Sequence, residues 1–162
     1  MGEGARRRAL LADAGYLVGG ALLVASAFLH WISRGAGSGL RGHALVDAIV
    51  ALGKHVPALS TGRLTIVWYL VPALGAASWI VFGLRGSRTR ATRIVAAAAL
   101  VTVLVAAGAF RHLVGSARLG WGPKVALLGG ILLALGAWVP DAWLNRPRRL
   151  PRHVARQAQR SR

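Results

Sequence analysis

Four apolar runs, at about residues 14–32, 64–84, 94–111 and 121–143, decide the solvent in which this chain folds. Each has the roughly 17 to 25 mostly apolar residues that a helix needs to cross a hydrocarbon core about 30 Å thick. The first two, GYLVGGALLVASAFLHWI and LTIVWYLVPALGAASWIVFGL, contain no charged side chain. The third, IVAAAALVTVLVAAGAF, lies between Arg93 and Arg111, which can snorkel to the two interfaces; the fourth, WGPKVALLGGILLALGAWV, has Lys124 near its start, where it can do the same. Lipid offers no partner to a peptide group, so each run must bond its own backbone, and helices are the expected solution. The fold class that follows is all-α: an integral membrane four-helix bundle.

A net charge of +17 would fit a nucleic-acid binder if the cations lined one face of a soluble domain. Here they lie between and beyond the apolar runs, and 55% of the residues are hydrophobic with a mean hydropathy of +0.52. No nucleic-acid partner is expected. The cations act instead as topology signals, because basic residues in short connections are retained in the cytoplasm. With the N-terminus inside, 14 of the 21 Lys and Arg residues fall on the cytoplasmic side and seven on the outer side. Both termini are therefore expected in the cytoplasm. Residues 1–13 form a basic N-terminus, residues 14–145 the four-span domain, and residues 146–162 a polybasic tail suited to an anionic membrane surface. Trp31, Trp68, Tyr69 and Trp121 fall at the expected outer boundary and Tyr16, Trp79, Trp138 and Trp143 at the inner one, as two interfacial belts.

Arg6 to Arg8, an apolar run and Ala25-Ser26-Ala27 also have the order of a signal peptide. The apolar run continues through Phe28, Leu29, Trp31 and Ile32, so retention as the first span is the expectation. The connection of residues 33–63 is the largest exposed element. Its start is rich in Gly and Ser, whereas HALVDAIVALGKH places Leu45, Ile49 and Leu52 on one stripe, which predicts a short amphipathic outer-loop helix. Pro57 stops it, and Ser60 or Thr61 can cap the second span.

Small residues in the spans point to helix contacts, since helices in lipid associate through close backbone approach. Gly15 and Gly19 have GxxxG spacing, Gly75 and Ala76 occupy the middle of the second span, and Gly129, Gly130 and Gly136 punctuate the fourth. Pro72 removes one helical hydrogen bond and predicts a kink.

Candidate chemistry is sparse. His30, His43, His55 and His112 all fall on the expected outer side, and His43 and Asp47 share a helical face. Were His30, His43, Asp47 and His112 to converge, they would offer a metal or haem site. Glu3, Asp13, Asp47 and Asp141 are the only acids, none at the middle of a span, which argues against proton-coupled transport. Ser26, Thr65, Ser78 and Thr102 have no visible base beside them, cysteine is absent, and no phosphate-binding loop is present. No catalytic residue and no cofactor is expected. The readings left are a non-enzymatic membrane subunit or scaffold of an envelope complex, a lipid or small-molecule binder or minor transporter with an outward cavity, and a metal- or haem-associated protein. Membrane lipids and a membrane-protein partner, or a second copy of the chain, are the expected contacts.

The order of features, HWISRGAGSG at the end of the first span, an outer stretch with His43 and Asp47, and GWGPKVALLGGILLALGA opening the last, resembles small four-span actinobacterial membrane proteins, some of them labelled tryptophan-associated. The resemblance spans residues 14–143 and implies four spans in a bacterial plasma membrane. It implies no activity and no site residues. The long first outer loop is also similar to that of claudin-like four-helix proteins, a likeness of topology alone.

Overall fold

The structure, a computed structural model, describes residues 3–33, 40–53, 62–86, 89–114 and 119–138. Five helices follow in order: α1 (Glu3–Ser26), α2 (Gly42–Gly53), α3 (Gly62–Arg85), α4 (Arg90–Val114) and α5 (Trp121–Trp138). Among the described residues there is no strand; two isolated bridges pair His30 with Arg41 and Ile32 with Leu119. α1, α3, α4 and α5 are each long and apolar enough to cross a membrane, so the chain is a multi-pass helical membrane protein. Along α4, Arg93 and Arg111 stand about 27 Å apart at 1.5 Å per residue, close to the thickness of the hydrocarbon core.

The four long helices run up and down around a square, with α1 beside α3 and α5, and α4 beside α3 and α5. The α1–α5 face is the most extensive of these contacts, and α2 packs on α3 much more lightly. Buried positions repeat with alternating steps of three and four residues. They are Ala12, Tyr16, Gly19, Leu23 and Ser26 on α1, Trp68, Val71, Gly75 and Ser78 on α3, Thr92, Ala96, Ala99, Val103 and Ala106 on α4, and Gly122, Ala126, Gly129, Leu133 and Gly136 on α5. That seven-residue period keeps each seam turned inward along its length, the packing of a left-handed antiparallel bundle. The outward positions hold Leu17, Ile80, Leu84, Val101, Leu104 and Leu135, apolar side chains that suit acyl chains and would be costly in water. The buried hydroxyls bond to main chain three residues back: Ser26 Oγ donates to Leu23 O at 2.7 Å, Ser78 Oγ to Gly75 O at 2.6 Å and Thr92 Oγ1, at the start of α4, to Thr89 O just before it at 2.7 Å.

Two details differ from the sequence expectation. The first helix begins at Glu3 and ends at Ser26, six residues before the expected end at Ile32, although residues 27–32 are as apolar as the helix. And Trp31 and Trp68, expected in an interfacial belt, are 1% and 2% exposed, inside the protein with Tyr16. The tight turn after Ser26 ends the helix and folds Trp31 inward, against Trp68. Residues 139–162, which include Trp143 and the polybasic tail, lie outside the described residues, as do residues 34–39 and 54–61 with His55, Pro57, Ser60 and Thr61.

Candidate functional site

Two constructions stand out from an ordinary bundle: a glycine seam between α1 and α5, and a tryptophan-centred platform at the end of the bundle that carries α2.

The seam brings backbone against backbone. A methyl placed on Gly19 would lie 2.6 Å from Leu133 N and 2.7 Å from Gly129 O; one on Gly129 would lie 2.9 Å from Gly19 O; one on Gly136 would lie 2.7 Å from both Ala12 O and Tyr16 N. No rotamer change relieves such contacts, because the obstructing atoms belong to the main chain. Gly15 has far more room, with Leu132 O at 3.8 Å from its added methyl, and Gly130 turns to α4, 3.4 Å from Leu100 Cδ1. On the third side, Gly75 packs against Gly20 O at 2.8 Å from its added methyl. Gly20 in turn makes room for Ser78 Oγ and for the Trp79 ring, whose Nε1 donates to Leu17 O at 3.0 Å across the α1–α3 interface. The members of the seam that the GxxxG pair does not reveal are marked in sequence by spacing. Gly122, Gly129 and Gly136 stand seven apart on α5, and Ala12, Gly19 and Ser26 stand seven apart on α1.

At the platform, the last turn of α1 tightens: Ala27, Phe28 and Leu29 donate to the carbonyls three residues back. The chain then leaves the helix, and the Trp31 indole folds back so that Nε1 donates to Ser26 O at 2.8 Å, a second and shorter bond to the end-of-helix carbonyl that Leu29 N reaches at 3.3 Å. Three glycine amides meet the next carbonyls: Gly42 donates to Leu29 O at 3.1 Å, Gly122 to His30 O at 3.0 Å and Gly120 to Trp31 O at 2.9 Å. Any side chain at these glycines would strike the segment, since an added methyl at Gly42 lies 2.8 Å from Ala27 O and those at Gly120 and Gly122 strike His30 O and the Trp31 ring. Non-helical backbone near membrane depth survives only when protein covers and bonds it, and this segment meets that condition. Trp31 also stands edge-on to Trp68 at 6.2 Å, and Trp68 edge-on to Tyr69 at 5.0 Å.

The expected kink residue, Pro72, lies half-buried inside α3. Lacking an N–H, it leaves the Trp68 carbonyl without its helical donor. Trp68 Nε1 is itself buried without a hydrogen-bond partner, as is the Tyr16 hydroxyl at the other end, where Tyr16 stacks on Phe82 at 5.9 Å. Such an orphaned donor costs about 1–3 kcal/mol.

His43 and Asp47 are both exposed on α2, and His43 meets the Phe28 ring at 6.3 Å. His30 is exposed on the bridge to Arg41. His112 lies in α4, with its side chain outside the described set. Among the described residues, no three His, Asp or Glu side chains gather in a way that could hold a metal ion. At this end Lys124 Nζ sits 5.1 Å from the exposed Trp121 ring.

Comparison with family models, with curated proteins and with solved structures finds no match to this chain.

Proposed function

We propose that this protein is a non-enzymatic subunit or scaffold of a bacterial envelope complex, resident in the plasma membrane with both termini in the cytoplasm. One observation carries the reading: main-chain contact at Gly19, Gly129 and Gly136 closes the largest helix interface, so recognition falls to the outside of the bundle. The outer surface has two parts, the apolar faces of the spans and the platform that presents α2 with His43 and Asp47 exposed. Support for the orientation comes from the two-to-one excess of basic residues on the side of the termini.

The test is purification of the full chain from its native host in a gentle detergent, with a photo-crosslinker at Asp47. A membrane protein recovered in stoichiometric amount and crosslinked through α2 supports the scaffold. Recovery of the bare chain, uncrosslinked, overturns it. Reporter tags at the two ends should both read cytoplasmic; opposite readings overturn the orientation.

One observation favours a second reading, a binder of a small polar-headed or lipidic molecule beneath α2. Trp68 Nε1 is a buried donor in want of an acceptor, one turn before Pro72 and under Gly42. Under this reading an acceptor-bearing molecule should co-purify with the wild type and be lost in Trp68→Phe. Equal recovery from both removes the reading.

A further inference from the structure

The bundle end opposite α2 carries a concentration of one cation type. The up-and-down course brings the start of α1, the end of α3 and the start of α4 together there, and with them Arg6, Arg7, Arg8, Arg85, Arg90 and Arg93. No lysine is among them; the described lysine, Lys124, sits at the other end. The arginines form two tiers. Arg93 Nε donates to Ala137 O at 3.3 Å, and Gly136 touches Ala12 and Tyr16, so Arg93 is level with about residue 12 of α1. Phe82 stacks on Tyr16, which brings Arg85, one turn further along, to the same level. Arg6 and Arg7 lie about five residues further out on α1, roughly 7 Å beyond that level. Exposed apolar side chains stand beside the inner tier: Leu11, Leu84 and Ile94.

The vertical order, exposed Leu17, Ile80 and Val101 further in along the spans, then the tier of Arg85, Arg90 and Arg93, then a second tier about 7 Å out, matches the order of a phospholipid: chains, phosphate, headgroup. Guanidinium groups bind phosphate through two parallel N–H···O bonds, a geometry that an ammonium lacks. We infer that the arginines of the α3–α4 turn, Arg85, Arg90 and Arg93, bind the phosphate of an anionic phospholipid at the membrane boundary, with Arg6 and Arg7 above it. This site is separate from the scaffold reading and survives its failure. Arg93 is the positioning member, since its Nε is already engaged by Ala137 and so links lipid binding to the α4–α5 contact.

The experiment is native mass spectrometry of the full chain, delipidated and then offered mixed micelles of phosphatidylglycerol and phosphatidylcholine of matched chain length. Phosphatidylglycerol should be retained at least about 5-fold over phosphatidylcholine, and the preference should fall at least about 5-fold in the Arg85→Gln/Arg90→Gln pair. Arg111→Gln, an exposed arginine at the other end of α4, should leave it unchanged. The Arg85→Lys/Arg90→Lys pair keeps the charge and loses the bidentate geometry, so it should fall between the two; it carries the test should the Gln pair not fold. Equal retention of the two lipids, an undiminished preference in either pair, or an Arg111→Gln effect as large as that of the Gln pair each overturns the proposal. So does displacement of the lipid by millimolar inorganic phosphate, which would make the site one for a free anion.

Discussion

Gly129 and Gly130 are neighbours on α5, yet they face different worlds. Gly129 meets the main chain of α1, where an added methyl would lie 2.9 Å from Gly19 O; Gly130 meets α4, where the nearest atom, at 3.4 Å, is the terminal methyl of Leu100. One seam is made of two backbones in contact and the other of alanine, valine and leucine side chains that can shift. In lipid, where apolar burial drives little, the first kind of seam gains its stability from close van der Waals contact over a long interface, and loses it abruptly when the helices are held apart. The second tolerates change. This difference predicts a ranking of substitutions, read as unfolding free energies in mixed micelles titrated with a denaturing detergent.

The largest effect belongs to the backbone seam. Gly19→Ala places a methyl against Leu133 N and Gly129 O, so the helices must separate by tenths of an ångström along several turns. Overpacking of this kind costs about 1–3 kcal/mol, and the better helix propensity of alanine returns less than about 1. A net loss of about 2 kcal/mol is expected. A loss below about 0.5 would mean that the α1–α5 contact is looser than the glycine geometry requires.

Next comes the platform. Trp31→Phe keeps most of the buried ring but deletes the 2.8 Å bond to Ser26 O, which then keeps only the longer 3.3 Å bond from Leu29 N. A loss of about 1–2 kcal/mol is expected, with faster hydrogen exchange at Leu29 to Ile32. If the exchange rates do not move, the indole bond does not hold the segment in place.

The platform also marks what sequence reading reaches and what it misses. Spans two to four were legible because hydropathy and length alone decide them. The end of the first was not: residues 27–32 are apolar, and the amides that pull their carbonyls out of the helix come from Gly42, Gly120 and Gly122, far away in sequence. The same blindness placed Trp31 and Trp68 in an interfacial belt, since hydropathy registers an aromatic ring near a span end and cannot tell whether lipid or protein covers it. The small residues were visible as types, and their roles were not. Gly15 and Gly19 look equivalent in a GxxxG pair and differ by more than 1 Å in the room left around an added methyl. Only the seven-residue spacing of Gly122, Gly129 and Gly136 carries the direction of the seam. For the histidines, sequence order set them on one side of the membrane, and the fold leaves His43 and Asp47 facing outward on α2.

A smaller effect is expected where a single interhelical bond is removed at the lipid-facing edge. Trp79→Phe deletes the Nε1 bond to Leu17 O, whose carbonyl keeps its own helical partner. Interhelical bonds in membranes average about 0.6 kcal/mol, and a loss of that order should result. A loss above about 2 kcal/mol would instead show that the indole wedge beside Gly20, and with it the α1–α3 contact, depends on the bond for its position.

The smallest effects separate tight contact from glycine itself as the source of stability. Gly108, on α4, has nothing within 4 Å of an added methyl, and Gly130 has only one contact tighter than ordinary van der Waals distance there, the Leu100 terminal methyl at 3.4 Å, with Leu100 Cα at 3.6 Å. Gly108→Ala removes backbone freedom at no steric cost and should stabilise by at most about 1 kcal/mol. Gly130→Ala needs a few tenths of an ångström from Leu100, whose terminal methyl can give, and should stay within about 0.5 kcal/mol of wild type. Set against Gly19→Ala, the same chemical change at three glycines then spans destabilising, neutral and stabilising. If all three destabilise alike, helix packing in this bundle is uniformly tight, and the contrast between the faces of α5 has no energetic meaning.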